Sequence, residues 1–202
     1  MRPSEAEIFF AGLGRDLKRP VVIALTGGIA AGLLADPRVT DDIDFAILRA
    51  IQADEDLEKE LQQAARRHKV VLQYSRDIDR WSSVTFLDWK KHSQPWKKFG
   101  KLEVRILDPY YWSIGKIARG TEWDLRDLEM VFKAQKMDWK KAAKLWARAL
   151  RKSPPSSALF NARQRMERFF GSSGKKIWGA KFDPVAAREF LLAELERLRK
   201  RG

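Results

Sequence analysis

Two aspartates, Asp42 and Asp44, are the residues whose type and spacing point most directly to chemistry. They begin the segment 42–48, whose alternating polar and apolar residues predict a β-strand. Alternate side chains of a strand share a face, so both carboxylates point one way, with Cα atoms about 6.5 Å apart. Such a pair can bind two Mg²⁺ ions about 3.5–4 Å apart, as in phosphoryl transfer. The alternative is an edge strand whose aspartates only contact water.

A glycine pair precedes these aspartates. The sequence Thr26-Gly27-Gly28 ends the apolar run 21–25, which predicts a buried strand, and is followed by a short predicted helix over 29–34. Glycines at such a junction allow close backbone approach and present N–H groups at a helix N-terminus, which favours a phosphate group. A tight turn with positive φ is the alternative. The turn matches neither a Walker loop nor a dinucleotide fingerprint, so its significance depends on its combination with the two carboxylates.

The remaining elements divide the chain into an α/β part and a helical part. Helices are predicted over 4–14 and 54–69, and strands over 70–74, 84–87 and 102–107. The segment 88–101, rich in lysine and aromatic residues, is predicted to be a loop. From Pro109 onward the pattern is helical, with breaks predicted at Gly120-Thr121, 153–157 and 171–176. We therefore expect domains at 1–108 and 109–202, with a linker near 153–157.

Composition limits the class of protein. The 202 residues are 45% hydrophobic and 33% charged, a globular balance. Without cysteine there can be no disulfide, thiolate metal site or cysteine nucleophile. The sequence has only two histidines, His68 and His92, so we do not expect a zinc site. The net charge of +13 favours polyanionic partners such as nucleic acid. No leader and no bilayer-length apolar run are evident, so we expect a cytoplasmic protein with no membrane partner.

The glycine turn followed by the aspartate pair resembles the signature of the nucleotidyltransferase superfamily of the DNA polymerase beta type. This resemblance implies a nucleotidyltransferase core with a mixed sheet. It also implies that Thr26, Gly27 and Gly28 bind the triphosphate of an NTP substrate. Asp42 and Asp44 would be catalytic and would bind Mg²⁺, with two ions expected.

Members of that superfamily often add a third carboxylate from a later strand. Leu102-Glu103-Val104 offers Glu103, whose side chain would point away from Leu102 and Val104. Asp88 is the rival third metal ligand. Glu103 could equally form an ion pair with Arg105 or with a neighbouring lysine.

Residues 107–131 resemble the segment after the last core strand in AbiEii-type nucleotidyltransferases, the toxins of type IV toxin-antitoxin systems. The resemblance spans residues 21–131 and implies a catalytic lysine at Lys116 and a catalytic aspartate at Asp124 or Asp127. A capping box from Thr121 to Asp124 gives Asp124 a structural explanation, so Asp127 is the preferred catalytic residue. Its alternative explanation is a carboxylate in water, paired with a nearby lysine.

Further cations are candidates for phosphate contacts. Lys116 could neutralise charge on the nucleotide phosphates, although a surface lysine is the alternative. Weaker candidates are Arg38, Arg105 and Arg119.

The predicted helix 138–152 has an apolar face with Trp139, Ala142, Trp146 and Leu150. Its basic stripe consists of Lys140, Lys144, Arg148 and Lys152. With segment 89–101 this stripe predicts RNA contact, although a solvated helix face is the alternative.

Together these features predict a Mg²⁺-dependent nucleotidyltransferase whose helical domain closes the cleft. The expected acceptor is RNA, with tRNA as one possibility, and the expected role is that of an AbiEii-like toxin with a possible cognate antitoxin. One alternative is transfer to a protein hydroxyl or to a small molecule. Another is a catalytically inert nucleic-acid-binding protein on the same fold.

Overall fold

The structure is a computed structural model that describes residues 2–35, 39–51 and 53–200. The chain divides into two compact units. The first comprises Met1–Asp77 and Trp89–Asp108, and the second comprises Ile78–Asp88 and Pro109–Gly202. The segment Ile78–Asp88, which the sequence places in the first domain, therefore belongs to the helical unit.

The first unit is a mixed α/β unit with a five-stranded sheet in the order β3-β2-β1-β5-β4. Its helices are α1 (Pro3–Asp16), α2 (Gly27–Leu34) and α3 (Asp54–His68). Its strands are β1 (Val21–Leu25), β2 (Asp42–Ala50), β3 (Val71–Ser75), β4 (Ser93–Phe99) and β5 (Leu102–Leu107). Strands β1 and β2 are antiparallel, as are β4 and β5, whereas β1 pairs with β5 and β2 with β3 in parallel.

The two sides of the sheet differ in chemistry because the strands alternate. In β2, Ile43, Phe45 and Ile47 are buried, while Asp42 and Asp44 between them are only half-buried. All five residues of β1 are buried, as the apolar run predicts for a central strand. One side of β2 is therefore apolar, and the other presents the aspartates.

The second unit is helical. It contains α4 (Pro109–Arg119), α5 (Glu122–Ala134), α6 (Trp139–Lys152), α7 (Ser157–Trp178) and α8 (Pro184–Arg199). Its core is aromatic: Phe132, Trp146 and Phe169 have ring centroids 5.7 to 6.0 Å apart. Among the described residues, no helix is long and apolar enough to cross a membrane.

The strand predicted at 84–87 is wrong. Val84 and Phe86 are buried, which explains the strand-like alternation, but side chains instead of a β-ladder satisfy the backbone of this segment. The N–H of Phe86 donates to Oδ1 of Asp79 at 2.6 Å, and that of Thr85 donates to Oγ of Ser153 at 2.9 Å.

The loop predicted over 88–101 is also wrong, because it contains β4. This strand lies at the edge of the sheet, where a proline costs no ladder hydrogen bond. Pro95 sits beside a register shift between Pro95 and Lys97, the position that a proline tolerates best.

The helix break predicted at 171–176 does not occur. Helix α7 runs through both glycines to Trp178, and the chain turns at Gly179 instead. A Cβ at Gly174 would lie 2.1 Å from the ring of Phe182, so this glycine serves helix packing. The breaks predicted near Gly120-Thr121 and at 153–157 are confirmed, since α4 ends at Arg119 and α6 at Lys152.

Candidate active site

The glycine turn fits closely against the second aspartate. Gly27 has a φ of +60° and begins α2 directly after β1. A Cβ built on Gly27 would lie 1.7 Å from Oδ2 of Asp44, so only glycine fits between the strand end and this carboxylate. The N–H of Thr26 donates to the backbone oxygen of Asp44 at 2.9 Å, which fixes β2 beside the turn. The glycine turn and the carboxylate of Asp44 thus lie side by side.

The N-terminus of α2 offers donors to an anion. Gly28 is buried and lies in the first turn, whose N–H groups have no intrahelical acceptor. Within the part of the chain that the structure describes, Thr26 makes no side-chain cap, and the first turn of α2 contains no acidic residue. This end of α2 therefore suits a phosphate group.

The carboxylate of Asp42 is oriented by two neighbours. Oγ1 of Thr40 donates to its Oδ1 at 3.1 Å, and Nε2 of Gln73 on β3 donates to its Oδ2 at 2.8 Å. A carboxylate oxygen has two lone pairs, so both oxygens keep acceptor capacity. Sequence reasoning missed Gln73. This residue lies in β3 directly opposite Asp44, which brings its side chain next to the aspartate pair.

Glu103 does not lie beside the aspartates. Val22 pairs with Glu103, whereas Asp44 lies beside Thr26, four residues further along the chain. This offset corresponds to about 13 Å along the strands. Glu103 instead accepts a hydrogen bond from Nη1 of Arg105 at 2.9 Å, the alternative that the sequence left open. The structure therefore does not bring Glu103 to the predicted metal site, and the Arg105 guanidinium donates to Ser93 and Glu103.

In the second unit, Lys116 and Asp127 form a buried ion pair. The Lys116 ammonium lies 2.6 Å from Asp127 and 3.2 Å from Asp124. Lys116 is 4% exposed, Asp124 1% and Asp127 0%, so all three charges are removed from water. The ammonium also lies 5.6 Å from the ring centroid of Trp112. Asp127 therefore does not lie in water, but the pairing with a nearby lysine in that alternative is confirmed.

Arg119, whose side chain is largely exposed, binds the buried Asp124 through two nitrogens, at 2.6 and 2.7 Å. The predicted capping box is confirmed, since Thr121 accepts from the N–H of Asp124 and Asp124 accepts from the N–H of Thr121. Burial raises the pKa of the Asp124 carboxyl, but hydrogen bonds and charge from Arg119, Lys116 and Thr121 outweigh it and lower this pKa to about 2. Two cations thus neutralise two carboxylates between α4 and α5.

Other predicted residues fall in different places. Arg38 lies outside the described residues. Asp88 belongs to the second unit and accepts a hydrogen bond from the Tyr111 hydroxyl at 3.2 Å. The catalytic roles of Lys116 and Asp127 stay a prediction, because the two side chains bind each other and both are buried.

The two faces predicted for α6 are confirmed. Ala142, Trp146 and Leu150 are buried, and Trp139 is half-buried. The basic stripe of Lys140, Lys144, Arg148 and Lys152 is exposed. This separation follows directly from helical periodicity.

The donor set in the first unit suits magnesium. Across residues 2–35, 39–51 and 53–200 there is no group of three or more His, Cys, Asp or Glu side chains that could hold a metal ion. Mg²⁺ normally takes only one or two protein carboxylates and completes its shell with water and substrate phosphates. Asp42 and Asp44, beside a turn suited to phosphate, fit that requirement.

Comparison with known proteins adds no family to this geometry. No protein-family model matches the chain, and no curated protein is similar enough to count as a relative. We therefore infer function from the residues of the site.

Proposed function

We propose that the protein is a Mg²⁺-dependent nucleotidyltransferase that transfers a nucleoside monophosphate from an NTP to RNA. One observation carries the proposal: the carboxylate of Asp44 occupies the space that a Cβ of Gly27 would need. A phosphate-binding turn and a metal-binding carboxylate are thus held in contact. Neither feature alone would indicate this reaction.

The turn is the proposed triphosphate site. The N–H groups of Gly28 and Ile29 lie in the first turn of α2, where the helix dipole favours negative charge. Without a Cβ at Gly27, the backbone leaves the carboxylate of Asp44 next to that turn. Phosphate oxygens bound there would lie beside Asp44, which shares its side of β2 with Asp42.

The aspartates are the proposed metal ligands. When bound, Mg²⁺ supplies positive charge for the phosphates and orients the acceptor hydroxyl. Thr40 and Gln73 orient the carboxylate of Asp42 before substrate binds. Substrate binding therefore does not have to supply the free energy of fixing this side chain.

The charge of the chain supports RNA as the acceptor. A net charge of +13 and the exposed basic stripe on α6 favour a polyanion over a neutral small molecule. A tRNA end is a suitable acceptor, and modification of tRNA would make the protein a toxin of the AbiEii-like kind, with an antitoxin as its partner.

The test is to incubate the protein with each labelled NTP, Mg²⁺ and total RNA. We expect label in RNA with wild-type protein and with Asp41→Asn, whose exposed side chain lies outside β2. Asp44→Asn should abolish labelling. Transfer that persists in Asp44→Asn would refute the mechanism, while label in protein instead of RNA would replace the acceptor and retain the chemistry.

A further inference from the structure

A basic cavity of about 300 Å³ lies on the first unit, away from the predicted metal site. Four cations line it: Arg49, Lys90, Lys91 and Arg105. Glu103 is the carboxylate among its lining residues, and it already pairs with Arg105. Arg49, Lys90 and Lys91 form no ion pair with any residue that the structure describes. The cavity therefore carries an excess of positive charge that the protein does not neutralise.

A β-bulge brings Arg49 to this cavity. Ile23 pairs with Ile47, but the next residue, Val22, pairs with Arg49, so the register shifts by one residue. Arg49 consequently faces the same side as Val22 and its other partner, Glu103. Strict alternation from Asp42 and Asp44 would place Leu48 on that side and Arg49 on the other. Because of the bulge, both residues line the cavity, so the sequence pattern did not reveal the contribution of Arg49.

Arg105 is held rigidly and keeps donors for a ligand. Its Nε and Nη2 donate to the hydroxyl and carbonyl of Ser93 at 2.9 and 2.6 Å, and its Nη1 donates to Glu103 at 2.9 Å. A guanidinium has five N–H groups, so two remain. A fixed arginine with two donors beside flexible lysines is a usual composition of phosphate sites.

The cavity and the aspartates share one side of the sheet. Ala24 pairs with both Ala46 and Arg105, and Ala46 lies on the same side of β2 as Asp44. Asp44 lies beside Thr26 and Arg49 beside Val22, so the two residues are separated by about 13 Å along the strands. Negative and positive groups thus occupy opposite ends of this side.

We propose that this basic cavity binds backbone phosphate of the RNA acceptor while the reacting end of the strand lies at Asp42 and Asp44. The inference rests on the proposed function only in taking RNA as the acceptor. The cavity holds the strand through charge and does not read its bases, so binding is expected to be insensitive to sequence.

The experiment measures binding of a fluorescent single-stranded RNA dodecamer by anisotropy over a range of salt, in EDTA and without NTP. The cavity variant Arg49→Gln, Lys90→Gln, Lys91→Gln is compared with a control variant Lys59→Gln, Arg66→Gln, Lys69→Gln. The control cations are on or directly after α3, and their substitution removes the same charge from the same unit.

We expect about a tenfold loss of affinity in the cavity variant and little change in the control. The plot of log K against log salt should also become shallower in the cavity variant. Its slope should fall by about 0.7 for each RNA phosphate that the variant no longer neutralises.

Equal losses in the two variants, or no loss in either, would overturn the proposal, since charge alone would then explain binding. Loss of ATP binding in the cavity variant, together with displacement of RNA by ATP, would assign the cavity to the nucleotide and also overturn it. Circular dichroism checks folding, and Arg49→Gln alone replaces the triple variant if that one does not fold. Because the assay needs no transfer, cavity-dependent RNA binding would stand even if no nucleotide were transferred.

Discussion

The two units use paired aspartates in opposite ways. In the first, Asp42 and Asp44 are half-buried, and among the described residues Asp42 accepts hydrogen bonds from two neutral side chains, Thr40 and Gln73. In the second, Asp124 and Asp127 are fully buried. There the carboxylates contact Lys116 and Arg119, so the protein itself neutralises them. We propose an external cation as the partner of the first pair, whereas cations of the protein bind the second pair.

This difference separates activity from stability. Removing one partner of a buried ion pair strongly destabilises the folded state, because the other charge is left buried without a partner. A half-buried pair of like charges gains little from its own fold, and removing one charge can even relieve repulsion. The second pair should therefore matter for folding, and the first for reaction.

The largest expected effect is on activity in the first unit. Asp42→Asn with Asp44→Asn removes both proposed metal ligands while preserving their shape. Transfer to RNA should decrease at least about 10³-fold. The free energy of unfolding should change by less than about 1 kcal/mol, measured by urea denaturation. A loss of several kcal/mol would show that the pair is structural and would remove the contrast between the units.

The next effect concerns the stability of the second unit. Asp127→Asn should lower the free energy of unfolding by about 3–5 kcal/mol, because it leaves the buried Lys116 with one carboxylate fewer. Lys116→Met with Asp127→Leu removes both charges and should cost less than Asp127→Asn alone. If the double variant is the less stable of the two, charge compensation is not the role of this pair.

The same variants decide whether Lys116 is also catalytic. A purely structural role predicts that Lys116→Met with Asp127→Leu retains its transfer rate constant well below its melting temperature. A catalytic lysine predicts a large decrease in kcat at that same temperature. The resemblance to AbiEii-type enzymes predicts the second result, and the burial of Lys116 makes this measurement informative.

A smaller effect concerns pH. The pKa of Asp124 is lowered to about 2 from an ordinary value of 3.8. Its contribution is therefore fully present above about pH 4 and is lost as the pH decreases through about 2. The difference in unfolding free energy between wild type and Asp124→Asn should shrink by roughly 2 kcal/mol between pH 5 and pH 2. Glu122→Gln, on the exposed side of the same helical turn, is the control and should show a much smaller change.

Much of the first unit followed from the sequence. An apolar run predicted β1, and apolar patterns predicted β2, β3 and β5. The sequence also indicated that the glycine turn and the aspartates belong together, and the structure shows Gly27 and Asp44 in contact. Two features of the structure depend on contacts between residues distant in sequence, and the sequence pattern did not predict them. The bulge that redirects Arg49 is set by pairing with β1, and the partnership of Lys116 with Asp127 depends on how α4 packs against α5.

The failed predictions have similar causes. Phe86 alternates like a strand residue, but Asp79 satisfies its backbone N–H. Gly171 and Gly174 resemble a break, yet tertiary packing keeps α7 helical through them. Packing overrides local propensity in both cases.

The smallest expected effect distinguishes the glycines of the two units. A Cβ at Gly171 would meet no atom within 4 Å among the described residues, and this position lies inside α7. Gly171→Ala should therefore stabilise the protein by about 0.5–1 kcal/mol through higher helix propensity and a less flexible unfolded chain. Gly27→Ala is the matched substitution in the first unit and should destabilise, because φ is +60° and Asp44 occupies the space. Thermal melts of both variants measure the difference. Equal effects would mean that the turn tolerates a Cβ at Gly27, and the contact of Gly27 with Asp44 would then give no support to a phosphate site.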